Sequence, residues 1–418
     1  MWSDRTPAAR LVELVAQLRA AVASRAKQTG YMLLESGPDG PCELQEPLAT
    51  LSCSHGRASV TTPTHRLDFE VPAFQLLEAA IEAWREIPGA LLAGYLAYDL
   101  AAELEDLGKM PADDTGVPQL YLSLYDSWHP VKPAGLAAPF TAGSISSRPD
   151  RAAFEAAVAR TVATIHAGDI FQTNLCRRLE ASMPNEAAWD LFLRLRQINP
   201  ARYAAFVRID DQRAVLSISP ELFLNVRQGV VETSPIKGTR PRGTTTEADR
   251  TLASDLLSSV KDRAELSMIV DVVRNDLGRV CKTGSVTVTE HATLMTLPTV
   301  HHSYSTVRGE LKDDASSVDL LRAAFPPASI SGAPKIEAMR AAMREEQQLR
   351  GPAMGAIGWI SMQGDMELSV AIRTAFVADN KVRYYAGCGI TADSVPSDEF
   401  EESAHKARAF LRALNSDS

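Results

Sequence analysis

Beyond residue 149 the chain alternates helical and strand-like segments, with the strands arriving in groups and not one after each helix. Residues 149–167 carry a helical pattern, with Asp150 placed to cap it and Gly168 to stop it. A strand-like run follows at 170–179, then a helical segment at 185–199. Three strands come in close succession at 204–209, 214–219 and 222–226, which suits antiparallel pairing. Residues 247–276, with Leu277 just beyond, hold Leu252, Leu256, Val260, Ile269 and Val273 at the spacing of one helix, which Gly278 would close. Residues 369–374, including Arg373, read as another strand. Helices and strands mixed without regular βαβ alternation predict an α+β fold.

The first third is less regular. Residues 8–24 are Ala/Leu-rich with helical period, Gly37-Pro38-Asp39-Gly40 is a turn, 57–61 alternates as a strand, 73–87 is a helix and 90–99 an apolar strand. Loops are expected at 109–116 and 132–147. The second is the best internal boundary, dividing a single unit of 1–418 into an N-terminal subregion, 1–147, and a larger C-terminal region, 148–415.

With 45% apolar and 23% charged residues the chain reads as soluble and globular. A net charge of −9 argues against general nucleic-acid binding, so an anionic ligand must be met by a local basic pocket. The five cysteines are scattered and none forms C-x-x-C, which fits a reducing cytosol and indicates neither a zinc site nor a disulfide framework. There is no signal-like start and no long apolar run, so a cytoplasmic protein with no membrane span is expected.

Several strings carry chemistry. The run 235–243 puts Lys237, Arg240, Arg242, Gly238 and Gly243 on one short loop. Arginines clamp carboxylates, glycines let backbone approach a ligand, and a desolvated lysine among cations can lose its proton and act as a nucleophile. Asp262 and Glu265 share one helix face, and Glu399 and Glu402 share another in the last helix, which Ser397 could cap. Two such faces together suit a hard divalent ion, although acidic pairs also decorate solvated helices. Ser329-Ile330-Ser331-Gly332-Ala333-Pro334-Lys335 reads either as an anion loop entering a helix or as an ordinary turn. Gly387-Cys388-Gly389 mimics a dinucleotide fingerprint, but too little chain follows for the βαβ unit that needs it. Close approach of backbone to a ligand carboxylate, or a tight strand end, remains. His302 follows an apolar stretch, and Arg373 sits among apolar residues and wants a carboxylate partner.

Together with Gly168 to Leu175, Ser219-Pro220-Glu221 and the run from Arg274 to Val280, these strings resemble the chorismate-utilising enzymes. The likeness is greatest to their aminodeoxychorismate synthase component I branch and next to the large subunit of anthranilate synthase. It runs from about residue 149 to 414 and is weak before that. The resemblance implies a four-layer α/β/β/α fold with two orthogonal antiparallel sheets. Isochorismate and salicylate synthases carry a lysine where this chain has Gln172, so water addition is disfavoured. Anthranilate synthases carry alanine where it has Lys237.

In the aminodeoxychorismate branch that lysine attacks C2 of chorismate as the 4-hydroxyl leaves. Ammonia then enters at C4 and expels it, giving 4-amino-4-deoxychorismate for p-aminobenzoate and folate synthesis. The resemblance implies Lys237, His302 and Glu221 as catalytic groups, His302 assisting loss of the hydroxyl. Gln172, Arg240, Ser329, Arg373, Gly387, Gly389 and Lys406 are the implied substrate contacts. Mg²⁺ is the implied cofactor, on Glu265 and Glu402 with Asp262 and Glu399 in support. No stretch resembles a glutaminase, so a separate glutamine amidotransferase subunit, or free ammonium, would supply the ammonia. Glu35-Ser36 falls where the family forms a tryptophan pocket. Ala328, Ala353 and Ser303-Tyr304 depart from the family pattern without removing an ionisable group. Anthranilate synthase and an inactive chorismate-binding paralogue are the rival readings.

Overall fold

A computed structural model describes residues 7–21, 30–131, 135 and 137–415. Its middle is two antiparallel sheets, of ten and twelve strands among the described residues. The first runs Gly332–Ala333, Gln172–Ser182, Lys381–Ile390, Thr374–Ala378, Ala214–Ser219, Tyr203–Arg208, Tyr31–Gly37, Gly40–Gln45 and His129–Pro130. The second runs Ile236–Pro241, Val300–Glu310, Val230–Ser234, Leu222–Arg227, Met366–Val370, Ala356–Ser361, Leu91–Leu96, Leu120–Tyr125, Ala49–Ser54, Arg57–Thr61 and Arg66–Glu70. Strands from before residue 147 are integral to both sheets, Tyr31–Gly37 pairing with Tyr203–Arg208 and Leu91–Leu96 with Ala356–Ser361.

The helices are α1 (Pro7–Ala21), α2 (Ala73–Trp84), α3 (Arg151–His166), α4 (Ala188–Ile198), α5 (Thr246–Ser258), α6 (Val260–Val280), α7 (Ser317–Ala324), α8 (Lys335–Glu346) and α9 (Pro396–Leu414). Their buried faces decide the layering. Phe192 of α4 and Phe410 of α9 pack with Phe206 and Tyr384 of the first sheet, and Phe154 of α3 and Ala341 of α8 cover its other end. The largest apolar cluster joins both sheets to α2, α6 and α7, with Phe376 and Val215 of the first sheet and Trp359 and Leu92 of the second in one core. The order is therefore helices, sheet, sheet, helices. Among the described residues no helix is long and apolar enough to cross a membrane.

Local signals account for most boundaries. Asp150 caps α3, its side chain accepting from Ala153 N at 2.9 Å. The expected helix over 247–276 is two helices. At Ser259 the backbone turns to φ −65°, ψ 111°, and the Ser259 hydroxyl caps α6 by accepting from Asp262 N. A serine that can serve as an N-cap competes with continued helix, a signal that apolar periodicity does not contain. Gly278 does not end α6, which runs on to Val280. Nor does Ser397 cap α9: the cap position is Val395, and the Ser397 hydroxyl bonds Asp398 instead. The segment 369–374 is no single strand. It leaves the twelve-stranded sheet after Val370 and enters the ten-stranded sheet at Thr374, turning at Arg373 with φ 51°. The chain makes the opposite crossing between Ser219 and Leu222, at Pro220-Glu221. The two crossings are tied together, Val370 N donating to Glu221 O at 3.0 Å and Ile218 N to Arg373 O at 3.1 Å.

Candidate active site

Glu221 and Arg373 thus stand where the chain passes between sheets. Backbone leaves the ladder at such points, so polar side chains can gather between two apolar layers. The run 235–243 is mostly an edge strand, Ile236–Pro241, and not the loop that its glycines suggested. A bulge between Lys237 and Thr239 centres on Gly238, at φ 79°. A Cβ on Gly238 would lie 2.8 Å from Leu256 Cδ1 and 3.0 Å from Asp262 Cγ, so both conformation and space require glycine.

Lys237 comes from the second sheet and Gly389 and Gln172 from the first, yet they meet. A Cβ on Gly389 would lie 2.3 Å from Gln172 Nε2 and 3.4 Å from Lys237 Nζ. Burial pulls the Lys237 amine below the usual lysine range, and Lys406 adds to this against the pull of Glu265, Glu221 and Glu402. Glu221 is buried, and burial pushes its carboxyl up to about 7 despite Ser329, Lys237, the Ile236 amide and Arg373.

His302, on the strand Val300–Glu310, is also buried. Its Nδ1 faces Thr239 Oγ1 at 2.9 Å and Gly238 O at 3.4 Å, and its Nε2 faces Arg373 Nη2 at 3.4 Å. A guanidinium only donates, so Nε2 accepts and the proton sits on Nδ1. Burial and the Arg373 charge push the imidazole down to about 4. His301 beside it accepts no such role: its Nε2 lies 2.9 Å from Asp249, whose carboxylate also holds Arg242 and the Gly243 amide.

The four acids approach from α6 and α9. Burial and repulsion from Asp262 and Glu402 raise Glu265 against the pull of Lys237 and Lys261. Glu399 is buried and donates nothing; its Oε1 accepts from Ser394 at 2.6 Å while Oε2 has no partner. Cys388, Glu399 and Glu402 hold ligand atoms within 4.8 Å of one another, a group that does not include Glu265 or Asp262. Glu399, with its orphaned buried oxygen, and Glu402 fit two ligands of a divalent cation with room for water, and Glu265 on α6 lies near enough to Glu402 to feel its charge. Lys406 pairs with Glu402 at 2.8 Å and donates to Gly387 O at 3.0 Å.

Other expected residues are placed differently. Arg240 is held by Asp255 at 2.6 Å and Asp262 at 3.2 Å. Lys335 opens α8 but is committed to Asp276 and Ala324 O, so the Ser329–Lys335 turn aims no free cation at the site. Glu35 is paired with Arg196 and lies with Ser36 at a bulge in Tyr31–Gly37, with three strands between it and Lys381–Ile390. Reading the sequence missed Thr239, Ser394 and Lys261. The i, i+4 spacing of Lys261 and Glu265 was a usable signal for the last; the other two act only through folded neighbours.

A family model described as chorismate binding enzyme matches residues 29–412. This chain belongs to the chorismate binding enzymes. It is 38% identical to aminodeoxychorismate synthase component 1 of Salmonella typhimurium, over 78% of this chain and 76% of that protein. It is 41% identical to anthranilate synthase component 1 of Aquifex aeolicus, over 62% of this chain and 52% of that one. The crystal structure of anthranilate synthase component I from Streptococcus pneumoniae superposes with a TM-score of 0.74 at 27% identity, covering 91% and 92% of the two chains.

Two consequences for this family member can be measured. Gly389→Ala crowds Gln172 and Lys237, so the KM for chorismate should rise by about tenfold while the unfolding midpoint stays within error. An unchanged KM would mean that Gly389 does not border the substrate. Burial and the Arg373 charge hold His302 near 4, against about 6.5 for a free imidazole. Between those pH values the unfolded chain binds a proton that the folded chain does not. Its contribution is complete above about pH 6.5 and is lost as pH falls towards 4. The urea midpoint should therefore fall less in His302→Asn than in the parent between pH 7 and 4.5, since a side chain that does not titrate has no such window. Parallel pH curves would contradict the buried neutral imidazole.

Proposed function

We propose that this chain is the chorismate-aminating component of an aminodeoxychorismate synthase, forming 4-amino-4-deoxychorismate with ammonia from a glutamine amidotransferase partner. The observation that carries the reading is Lys237. It is held against Gly389 and Gln172, and its amine is shifted towards the neutral, nucleophilic form. Anthranilate formation calls for no lysine at this place.

Glu265 and Glu402 would hold Mg²⁺ with Asp262 and Glu399 in support. The bound ion supplies positive charge for a substrate carboxylate and for the departing oxygen. Arg373 and the backbone at Gly387 and Gly389 would bind the enolpyruvyl carboxylate, and Gln172, Ser329 and Lys406 would border the ring. Glu221, with its carboxyl near 7, can hold the proton that the leaving 4-hydroxyl needs. His302, neutral with Nε2 accepting from Arg373, would hold that guanidinium beside the leaving 4-hydroxyl. A tryptophan pocket at Glu35 and Ser36 would need the Arg196 pair rearranged.

The deciding experiment incubates the protein with chorismate, Mg²⁺ and ammonium, with and without an aminodeoxychorismate lyase. p-Aminobenzoate formed only with the lyase supports the reading. Anthranilate formed without it establishes the anthranilate synthase alternative. Bound chorismate with no product in either case marks an inactive paralogue.

A further inference from the structure

The Cys388 thiol has no part in the chemistry described so far. It lies on Lys381–Ile390 between Gly387 and Gly389, is fully buried, and belongs to the apolar cluster of Phe154 on α3 and Ala341 on α8. Helix α9 passes beside it, and Cys388 Sγ donates to Glu399 O at 3.1 Å. Among the described residues, only Cys388, Glu399 and Glu402 bring three His, Cys, Asp or Glu ligand atoms within 4.8 Å of one another. The spacing of the cysteines gave no hint of this, because the partners are carboxylates on the following helix.

A second observation points to a ligand. Glu399 is 5% exposed, its Oε1 is taken by Ser394 at 2.6 Å, and its Oε2 has no hydrogen-bond partner. The thiol beside it helps to steady the carboxylate, but its one proton is directed at Glu399 O. A carboxylate oxygen left unpaired at this depth is costly, and a cation would complete it. The sulfur decides which cation. Mg²⁺ takes oxygen ligands and keeps its waters, whereas Zn²⁺ accepts thiolate and carboxylate together.

We propose that Cys388, Glu399 and Glu402 form a site for a thiophilic divalent cation, with Zn²⁺ the best match, and that filling it withdraws Glu402 from the pair it would make with Glu265. Ligand atoms around a tetrahedral zinc stand about 3.5–4 Å apart, so the three side chains need to close by only about 1 Å. On binding, an Sγ–Zn bond replaces Sγ–H and the proton leaves to water past the exposed Glu402 side chain, from which a water can also supply the fourth ligand. The thiolate and two carboxylates then carry three negative charges. Lys406, at 2.8 Å from Glu402, offsets one of them, and the ion offsets the rest.

The test uses the full metal-free chain, without chorismate, and Co²⁺ as a spectroscopic stand-in for Zn²⁺. A thiolate-to-cobalt charge-transfer band should appear in the near ultraviolet, and excess Zn²⁺ should abolish it. Cys388→Ala should lose the band and bind Co²⁺ at least about tenfold more weakly. Glu399→Gln should keep the band while binding weakens by a similar factor. In turnover supported by Mg²⁺, zinc should inhibit the parent, and Cys388→Ala should need at least about tenfold more zinc for the same inhibition. No charge-transfer band in the parent, or a band that survives in Cys388→Ala, overturns the site. Equal zinc sensitivity in parent and variant overturns the sharing of Glu402. If Cys388→Ala does not fold, Cys388→Ser, which keeps the volume, takes its place. The cobalt spectrum needs neither chorismate nor ammonia, so it decides the site even where the amination reading fails.

Discussion

Lys237→Ala should abolish amination of chorismate, lowering kcat by on the order of 10³-fold or more while chorismate still binds. The size follows from the nucleophilic role proposed above for this side chain. Without it no covalent adduct can form at C2, and the displacement must proceed in one difficult step with the acid cluster and Glu221 still present. Lys237→Arg should fare no better, because a guanidinium stays protonated and cannot attack. Intact mass spectrometry of the parent with chorismate and Mg²⁺, but no ammonium, should show an adduct that disappears in both variants. If either variant retains a tenth of the parent rate, Lys237 is not the nucleophile.

Arg350→Met should be the most damaging single change for stability, at about 3–5 kcal/mol. Arg350 is 2% exposed and pairs with Glu346 through Nη2 at 2.7 Å and Nε at 3.0 Å. Its remaining protons go to Ile330 O at 3.2 Å and Asn174 O at 2.7 Å, and its guanidinium lies 4.3 Å from the centre of the Tyr98 ring. Glu346 in turn accepts from the Cys176 amide at 2.7 Å. Methionine fills the volume but leaves Glu346 as an uncompensated buried charge and two carbonyls unpaired. The double variant Arg350→Met, Glu346→Leu should regain most of the loss, since removing both charges removes the desolvation cost. Urea unfolding checks both. A loss under about 1 kcal/mol in the single variant, the range of an exposed pair, would contradict the buried network.

The site was legible in the sequence to the extent that its parts lie in short runs. Lys237 with Gly238, Asp262 with Glu265, and Glu399 with Glu402 are each local patterns whose chemistry can be read directly. The failures share one cause. Arg240 reads as a free carboxylate clamp until α5 and α6 bring Asp255 and Asp262 to it. Lys335 reads as an anion-binding cation until α6 brings it Asp276. Residues 369–374 read as one strand because apolar pattern does not record which sheet each residue joins. Local composition shows which groups a segment carries, but not which of them the fold has already neutralised.

By itself the sequence determined an α+β chain with caps such as Asp150, a lysine beside a glycine in the run 235–243, a glutamine in the strand-like run 170–179, and paired acids on two helices. These depend on residue type and on spacing within one element, which the chain carries before it folds. Only the tertiary structure decided that Gln172, Lys237 and Gly389 from two sheets share one space, that His302 keeps its proton on Nδ1, and that Glu221 rises to about 7. Desolvation and charge act through space within a few ångströms, so they are set by neighbours that are remote along the chain.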